Sequence, residues 1–464
     1  MKILSLTALS VLALCGAANA DVSISSMPTQ NMSCDAGVCT ATAQKAVLNV
    51  GDLQTMLAAG DMTVTTGGVA KDIDIDQPLT WSSMSALTLD AQHSVVVKKA
   101  VAVSGAGGLT LTTNDGGKKG SLLFQDKGKI VFWDTESSLV INGQAYVIVN
   151  TVSGLSSAVA ANPSGHFAMA SDYDAGADGP FTAPPIADMN GTLERLGNRI
   201  AHLTIEDRSG SDVVVALIAT NFGIIRDVTL SNVKVTTGHS HNYVATLAGY
   251  NLGTITNSHA AGEIVGRGAS MGGLVGNNSG TVAFSSAAVS IRPRKDFNGD
   301  GGLVGYNGGS ITASYAIASI SSESWAFGGG LAAFNAGSIT DSYALGAVTF
   351  HNKLGAGLVG FNALSDKNKI NTSYSTVTVD ADEAGGFLGV DNAKYCSTDY
   401  WDLDTSGVSN PRRGAWKPKD DPGITGLTDA QLKSGLPQGF DPKIWGSNPN
   451  INNGYPYLLA NPPQ

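Results

Sequence analysis

The second half of the sequence repeats one short pattern at a nearly constant period. An apolar anchor follows small residues, with Gly or Ala two places after it and Asn four places after it. The spacings are 30, 27, 29, 28 and 27 residues, and the anchors are Leu217, Leu247, Leu274, Leu303, Leu331 and Leu358. A degenerate seventh unit follows at Phe387, with Asp391 in place of the Asn. A unit this short cannot bury a core alone, so it must stack on its neighbours.

Each unit has the composition of short strands. Val, Ile, Thr and Tyr lie between Gly and Asn, and no helical periodicity extends over 10 to 12 residues. If the chain coils, every strand pairs with its equivalent one coil later, about 4.8 Å along the axis. The pattern therefore predicts an all-β fold, a parallel β-helix (β-solenoid), with the leucines as a core ladder. The asparagines form an amide ladder at one corner; they are Asn221, Asn251, Asn278, Asn307, Asn335 and Asn362.

The rest of the chain divides around these repeats. We expect an N-terminal cap over 21–62, a β-helical segment over 63–150, a helix and surface loop excursion over 151–190, the repeats over 191–395 and a C-terminal cap over 396–464. The caps are needed because an open strand edge invites aggregation. Capping and stop signals predict three short helices, at 52–59, 155–161 and 428–433.

The first 20 residues have the features of a secretory signal peptide. Lys2 precedes an apolar run from Ile3 to Leu14, and Ala18-Asn19-Ala20 offers a cleavage site. Lipidation at Cys15 is disfavoured because Leu14 stands where a small residue is needed. Later residues offer no apolar run of about 18 to 20 residues, so no membrane insertion is expected.

Export permits a disulfide, and Cys34 and Cys39 lie close together in a loop that contains Gly. The alternative is that all three mature cysteines stay reduced, and in either case Cys396 is unpaired. The formal net charge is -10, or -10 - 1 = -11 without Lys2. The sequence is thus acidic and has no dense Lys/Arg cluster, so nucleic acid is not an expected partner.

Few residues suggest metal or cofactor chemistry. His239 and His241 are the closest histidine pair, but no carboxylate stands at zinc-ligand spacing. The segment Asp296 to Gly301 opens like a calcium loop, yet its twelfth position is Asn307 of the predicted ladder. We expect no metal and no cofactor.

Enzymes on β-helices usually need carboxylates clustered on one face. Two groups of acids occur, Asp172, Asp174 and Asp178, and Asp399, Asp402 and Asp404, but each falls in a loop or cap where turn chemistry explains it. Arg292, Arg294 and Lys295 share one inter-strand loop, and Arg412 and Arg413 share another. The segment 268–272 has the letters of a nucleophile elbow but runs into a strand instead of a helix. We therefore expect no catalytic residues.

Several motifs carry a family resemblance. Segments 272–280, 301–307 and 356–362, with Gly-Leu-Val-Gly at their centres, resemble the GLUG motif of large bacterial surface proteins. Segments 400–407 and 453–458 resemble the end that follows such repeats, and 109–117 with 141–143 is similar to the filamentous-haemagglutinin-like β-helix of secreted adhesins. The resemblance implies an extracellular adhesive β-helix and carries no catalytic residue. The chain is short for a haemagglutinin, and its N-terminal region lacks the Asn-Pro-Asn-Gly type motif of two-partner secretion.

Two functions are consistent with these features. The first is a secreted or cell-surface, adhesin-like binding or structural protein, whose partners are a host or surface glycan or protein receptor and, during export, an outer-membrane transporter. The alternative is a carbohydrate-active enzyme, a polysaccharide lyase or hydrolase, on the same scaffold. Tyr315, Tyr343 and Tyr374 either face a receptor or stack in the interior, and the sequence leaves both open.

Overall fold

The computed structural model describes residues 21–114, 119–125, 127–208, 214–294, 298–322, 326–364, 369–393 and 395–463. About 52% of the chain is strand and 8% is helix, and the parallel strands build a β-solenoid of about 14 coils. The predicted fold class is therefore confirmed. The predicted signal peptide, residues 1–20, lies outside the described residues. None of the described helices combines the length and apolar character needed to cross a bilayer.

The described residues form two compact units, one within residues 21–129 with 140–143 and the other within residues 130–139 with 144–463. The strands of the first unit are β1 (Val22–Ser25), β2 (Met32–Asp35), β3 (Val38–Ala41), β4 (Ala46–Asn49), β5 (Met62–Thr65), β6 (Ile73–Ile75), β7 (Leu79–Trp81), β8 (Ala86–Asp90), β9 (Val95–Val97), β10 (Val101–Val103), β11 (Gly108–Thr112) and β12 (Leu122–Phe124). Helix α1 (Val50–Ala59) begins after Asn49, whose side chain accepts from the Gly51 and Asp52 amides.

The first unit begins with a solenoid coil where we expected only a cap over 21–62. Strand β1 pairs in parallel with both β4 and β6. Alternate side chains of β1 and β4 are apolar and point into the core, among them Val22, Ile24 and Leu48. The two strands can therefore pack as strands of a coil. Strands β2 and β3 form an antiparallel hairpin, and the Cys34–Cys39 disulfide joins its two strands.

The second unit contains most of the repeats. Its early elements are β13 (Ile130–Phe132), β15 (Gln144–Val149), α2 (Val152–Ala161), β16 (His166–Met169), β17 (Tyr173–Asp174), β18 (Ile186–Met189), β19 (Thr192–Glu194), β20 (Arg199–Ala201), β21 (Thr204–Asp207), β22 (Val214–Val215), β23 (Ile218–Asn221) and β24 (Ile224–Arg226), while β14 (Ser138–Ile141) has residues in both units.

The repeat strands follow in chain order. They are β25 (Thr229–Ala245), β26 (Ala248–Asn251), β27 (Thr254–Thr256), β28 (His259–Gly272), β29 (Val275–Asn278), β30 (Thr281–Ala283), β31 (Ser286–Pro293), β32 (Asn298–Gly301), β33 (Val304–Asn307), β34 (Ser310–Thr312), β35 (Tyr315–Ser322), β36 (Ala326–Gly329), β37 (Ala332–Asn335), β38 (Ser338–Thr340), β39 (Tyr343–Ala356), β40 (Val359–Asn362), β41 (Lys369–Asn371), β42 (Tyr374–Ser375), β43 (Thr378–Gly385) and β44 (Leu388–Asp391).

The last elements are β45 (Cys396–Ser397), β46 (Asp399–Asp402), β47 (Ala415–Lys417), β48 (Ile424–Leu427), α3 (Asp429–Lys433), β49 (Trp445–Gly446) and β50 (Tyr457–Leu458). Strands β45 to β48 still pair in parallel with the preceding coil, so the solenoid extends further than the predicted boundary at residue 396. Only the residues after β48, which we call the C-terminal segment (428–463), leave the coil.

Three parallel sheets form the faces of the second unit. Face I contains β15-β16-β19-β24-β27-β30-β34-β38-β41-β45, face II contains β17-β20-β25-β28-β31-β35-β39-β42-β46-β48, and face III contains β18-β23-β26-β29-β33-β37-β40-β44-β47. The six anchor leucines are all fully buried in the core enclosed by the three faces. One strand on face I, one on face III, one or two on face II and the turns between them account for the 27 to 30 residues of a repeat.

The predicted surface excursion is instead part of the solenoid. Strands β16, β17 and β18 pair in parallel with β19, β20 and β23, one on each face. Phe167, Met169 and Met189 are buried, which explains why this Asp- and Gly-rich stretch still coils. The prediction of a surface loop in the part of 151–190 that follows the helix was therefore wrong.

The repeated glycines lie where successive coils approach each other closely. A side chain at Gly305 would begin 2.3 Å from the Ser270 hydroxyl oxygen and 2.7 Å from the Gly276 carbonyl oxygen. These distances are too short for a Cβ atom, so residue 305 must be glycine in this arrangement.

Candidate functional site

The predicted asparagines stack on one corner of the second unit. The side-chain amide of Asn221 donates to the side-chain oxygen of Asn251 at 2.7 Å, and the same bond continues coil by coil at 2.7–2.9 Å until Asn362 donates to Asp391. All six asparagines are fully buried. The ladder gives hydrogen-bond partners to buried side-chain amides, which would destabilise the fold if they had none, so its role is structural.

A second ladder occupies another corner and was not predicted. The backbone amide of Ser285 donates to the Ser314 hydroxyl at 3.1 Å, and Ser314 donates to Ser342 in the same way at 3.3 Å. Each serine follows a residue of positive φ, such as Asn257 (48°) and Ala313 (46°). The serines repeat with the same period as the asparagines, which is the signal that could have revealed this ladder.

The tyrosines suggested as a receptor face are interior. Tyr315, Tyr343 and Tyr374 stack at ring-centroid distances of 4.8 and 5.0 Å. The C-terminal segment covers them, with the Trp445 ring 6.0 Å from Tyr343 and the Pro456 carbonyl accepting from the Tyr374 hydroxyl at 2.6 Å. Tyr343 and Tyr374 are fully buried, so the structure favours the interior stacking alternative.

A different aromatic column lies on the outer side of face III. Tyr306, Phe334 and Phe361 occupy equivalent positions on successive strands and stack at 4.9 and 5.2 Å. Their rings are nearly parallel, at 8° and 9°, and each side chain is partly exposed. We call these three residues the outer aromatic column.

Polar and aliphatic residues extend this column in both directions. Asn277 precedes Tyr306 in register, and Val390 and then Lys417 follow Phe361. Stacking covers both faces of the Phe334 ring and one face each of Tyr306 and Phe361, so the column presents mainly ring edges, with the exposed Lys417 at one end. It is the most extended stacked aromatic surface that the described residues leave partly open.

The histidines do not form a zinc site within the described residues. His239 is exposed, whereas His241 is buried with its Nε2 atom 3.8 Å from a carboxylate oxygen of Asp207. Within the proposed calcium loop, residues 296 and 297 lie outside the described residues. Asp300 points into the core, fully buried, and burial raises the pKa of its carboxyl well above the ordinary value. A carboxyl group held neutral in this way is a poor calcium ligand.

The acidic clusters serve backbone geometry. The Asp174 side chain caps a short 3-10 turn by accepting from the Gly176 amide. Asp399 accepts from the Ser373 and Ser397 amides, and Asp402 accepts from the Asp404 and Thr405 amides. These oxygens of Asp174, Asp399 and Asp402 are committed to hydrogen bonds with the backbone, so local backbone geometry explains these three carboxylates.

The segment that resembles a nucleophile elbow lies within strand β28. Its Ser270 hydroxyl donates to the Gly276 carbonyl at 3.2 Å. A nucleophile elbow is a sharp turn that joins a strand to a helix. The segment 268–272 is part of strand β28 and leads into the next repeat, where no helix follows.

One group of possible metal ligands is found among the described residues. Oxygens of Asp391 and Asp421 and the sulfur of Cys396 lie within 4.8 Å of one another. Burial, together with the nearby carboxylates, raises the pKa of the Cys396 thiol. Asp391 already accepts from the Asn362 side chain and the Ala393 amide, so it acts as the terminal member of the amide ladder.

Comparison with known proteins adds little to this geometry. No family model matches the chain. A stretch is 37% identical over 138 residues to halomucin of Haloquadratum walsbyi (strain DSM 16790 / HBSQ001). The match covers 27% of this chain and spans about 1% of the length of halomucin.

Proposed function

We propose that this chain is a secreted or cell-surface adhesin-like protein of the GLUG-repeat and filamentous-haemagglutinin-like type, exported through the general secretory pathway. The observation that carries the proposal is the outer aromatic column on face III. Aromatic side chains contribute large contact areas and are enriched at recognition surfaces. The C-terminal segment covers the column of Tyr315, Tyr343 and Tyr374, whereas Tyr306, Phe334 and Phe361 form a column of three rings that stays partly open.

The rest of the fold is a rigid support for this surface. The buried amide and serine ladders fix each coil over the next, so the three rings are held in one arrangement before any receptor arrives. A preorganised surface loses less conformational entropy on binding.

The proposal is tested by adhesion of the fluorescently labelled full chain to intact cells. Phe334→Ser removes the central ring, and we expect binding to fall about tenfold or more. Phe222→Ser is the matched control, because Phe222 is 51% exposed but lies outside the column. Unchanged thermal unfolding of both variants shows that they are folded. Equal binding by the two variants would contradict the proposal.

Treatment of the cells identifies the class of receptor. Periodate destroys glycans, and protease removes exposed protein receptors. We expect periodate treatment to abolish the binding that depends on Phe334 if the receptor is a glycan, and protease treatment to abolish it if the receptor is a protein. If the binding that depends on Phe334 survives both treatments, the receptor is neither a surface glycan nor a surface protein, which would contradict the proposal.

A further inference from the structure

An open groove of about 480 Å³ lies on the outer side of face II and is lined by charged side chains. We call it the basic groove; its charged residues are Glu206, Arg208, Lys234, Glu263, Arg292 and Arg294. Four cations and two anions give it a local formal charge of 4 - 2 = +2, in a chain whose net charge is -10. Because these side chains point away from the core, the local excess of positive charge plays no part in core packing.

The strands explain how residues far apart in sequence meet here. Glu206, Lys234, Glu263 and Arg292 lie on β21, β25, β28 and β31, which pair in order. Arg292 was expected in an inter-strand loop, but it lies on β31, since Ile291 beside it is buried and anchors the strand. Arg294 follows this strand, and Lys295 lies outside the described residues.

The cations of the groove are largely available to a ligand. Arg208 pairs with Glu206 at 3.2 Å, and its side chain is still 77% exposed. Lys234, Arg292 and Arg294 are exposed, and no carboxylate of the described chain lies within ion-pair distance of them. Exposed arginines that have no carboxylate partner favour an anionic ligand, because their planar groups bind carboxylate or sulfate oxygens in pairs.

The size of the groove favours a polymer over a small anion. Arg208 directly follows β21, and Arg292 lies on β31, three strand pairings further along face II. Pairings of about 4.8 Å each separate these two strands by roughly 14 Å. A single phosphate or sulfate cannot bridge this distance. The charged lining includes no aromatic ring on which a base could stack, and the remaining residues are Thr, Val and Pro, which disfavours single-stranded nucleic acid.

We propose that the basic groove binds an acidic polysaccharide. Arg208, Arg292 and Arg294 pair with uronate carboxylates or sulfate esters, and Lys234 adds a fourth positive charge. Glu206 and Glu263 accept hydrogen bonds from sugar hydroxyls. The groove is separate from the outer aromatic column, so this proposal stands or falls independently of the adhesion proposal.

The test measures binding of the full chain to polygalacturonate, dextran sulfate, neutral dextran and a single-stranded DNA oligonucleotide. We expect binding to one or both acidic polysaccharides, weakened by added salt, and none to neutral dextran. A preference for polygalacturonate identifies carboxylates as the ligand groups, and a preference for dextran sulfate identifies sulfates. Tighter binding to the oligonucleotide, or no binding to either acidic polymer, would overturn the proposal.

Substitutions locate the binding. R292Q/R294Q should weaken binding to the preferred polysaccharide about tenfold or more. K71Q/K369Q is the matched control, since it removes the same charge from exposed positions outside the groove and should change binding less than about twofold. Equal losses in the two double variants would show unspecific attraction and overturn the proposal. Phe334→Ser should leave this binding unchanged, which separates it from adhesion.

Discussion

The side-chain amide of Asn278 donates to the side-chain oxygen of Asn307 at 2.8 Å, although the two residues are 29 positions apart in sequence. Asn278 also accepts from Asn251, so one buried residue joins three successive coils. The repeat in the sequence is therefore a repeat of contacts, and the loss of one member affects both neighbours.

Asn278→Ala should destabilise the protein by about 2–4 kcal/mol, because it leaves the buried Asn307 oxygen without its donor and removes an acceptor from Asn251. Urea unfolding followed by circular dichroism measures this change. Asn392→Ala is the control, since Asn392 is exposed and only its backbone amide is hydrogen-bonded to the neighbouring coil. Its effect should stay below about 0.5 kcal/mol. Similar effects of the two substitutions would contradict a structural amide ladder.

Trp445→Ala should detach the C-terminal segment from the tyrosine column. Trp445 is 1% exposed, and its ring lies 4.5 Å from Phe440 and 5.9 Å from Tyr374. The cavity should cost about 3–5 kcal/mol, and limited proteolysis should cleave the segment faster. Trp133→Ala is the matched control, because Trp133 is 74% exposed. If both variants resist protease like the unsubstituted chain, the segment does not depend on this contact.

The repeats made much of the fold predictable. Leu274 and Asn278 recur at the same positions in neighbouring units, so their columns could be inferred before any coordinates. The coils at 22–49, 166–189 and 396–427 have no such repetition. Their strands are defined by pairing with the next coil, which a local pattern does not reveal.

The candidate binding surfaces were harder to predict than the fold. The sequence does not show which aromatic column the C-terminal segment covers, because that segment has no repeat to fix its position. Tyr306, Phe334 and Phe361 also stand at equivalent repeat positions, but only the structure shows that they stay partly exposed. The basic groove combines residues from four strands, and the sequence shows only Arg292 and Arg294 as neighbours, without Arg208 and Lys234 from earlier coils.

Asp300 should make stability depend on pH. Its carboxyl is fully buried with no hydrogen-bond partner among the described residues, and desolvation raises its folded-state pKa well above 3.8. The folded state then keeps a proton that the unfolded state releases. The contribution of Asp300 to the free energy of unfolding is therefore most favourable below about pH 4. It falls as pH rises, by up to about 1.4 kcal/mol per pH unit, until the folded-state pKa is reached.

Asp300→Asn removes the titrating carboxyl and with it this loss of stability. The free energy of unfolding of the variant minus that of the unsubstituted chain should therefore increase from pH 4 to pH 7. Urea unfolding at several pH values measures the difference. Asp188→Asn serves as a control at an exposed carboxyl and should leave the pH profile unchanged. A difference for Asp300→Asn that is the same at every pH would show that the buried carboxyl does not titrate as described.

Both binding proposals depend on the register that places equivalent residues of successive coils beside one another. Ser290 and Ser319 are register partners on the outer side of β31 and β35, and Ala347 follows one coil later. Paired strands lie about 4.8 Å apart, within the range for a disulfide, whereas two coils span about 9.6 Å. Mild oxidation of S290C/S319C should therefore give an internal disulfide, detected by peptide mass spectrometry, and S290C/A347C should give none. Cross-linking of S290C/A347C in preference to S290C/S319C would contradict the account.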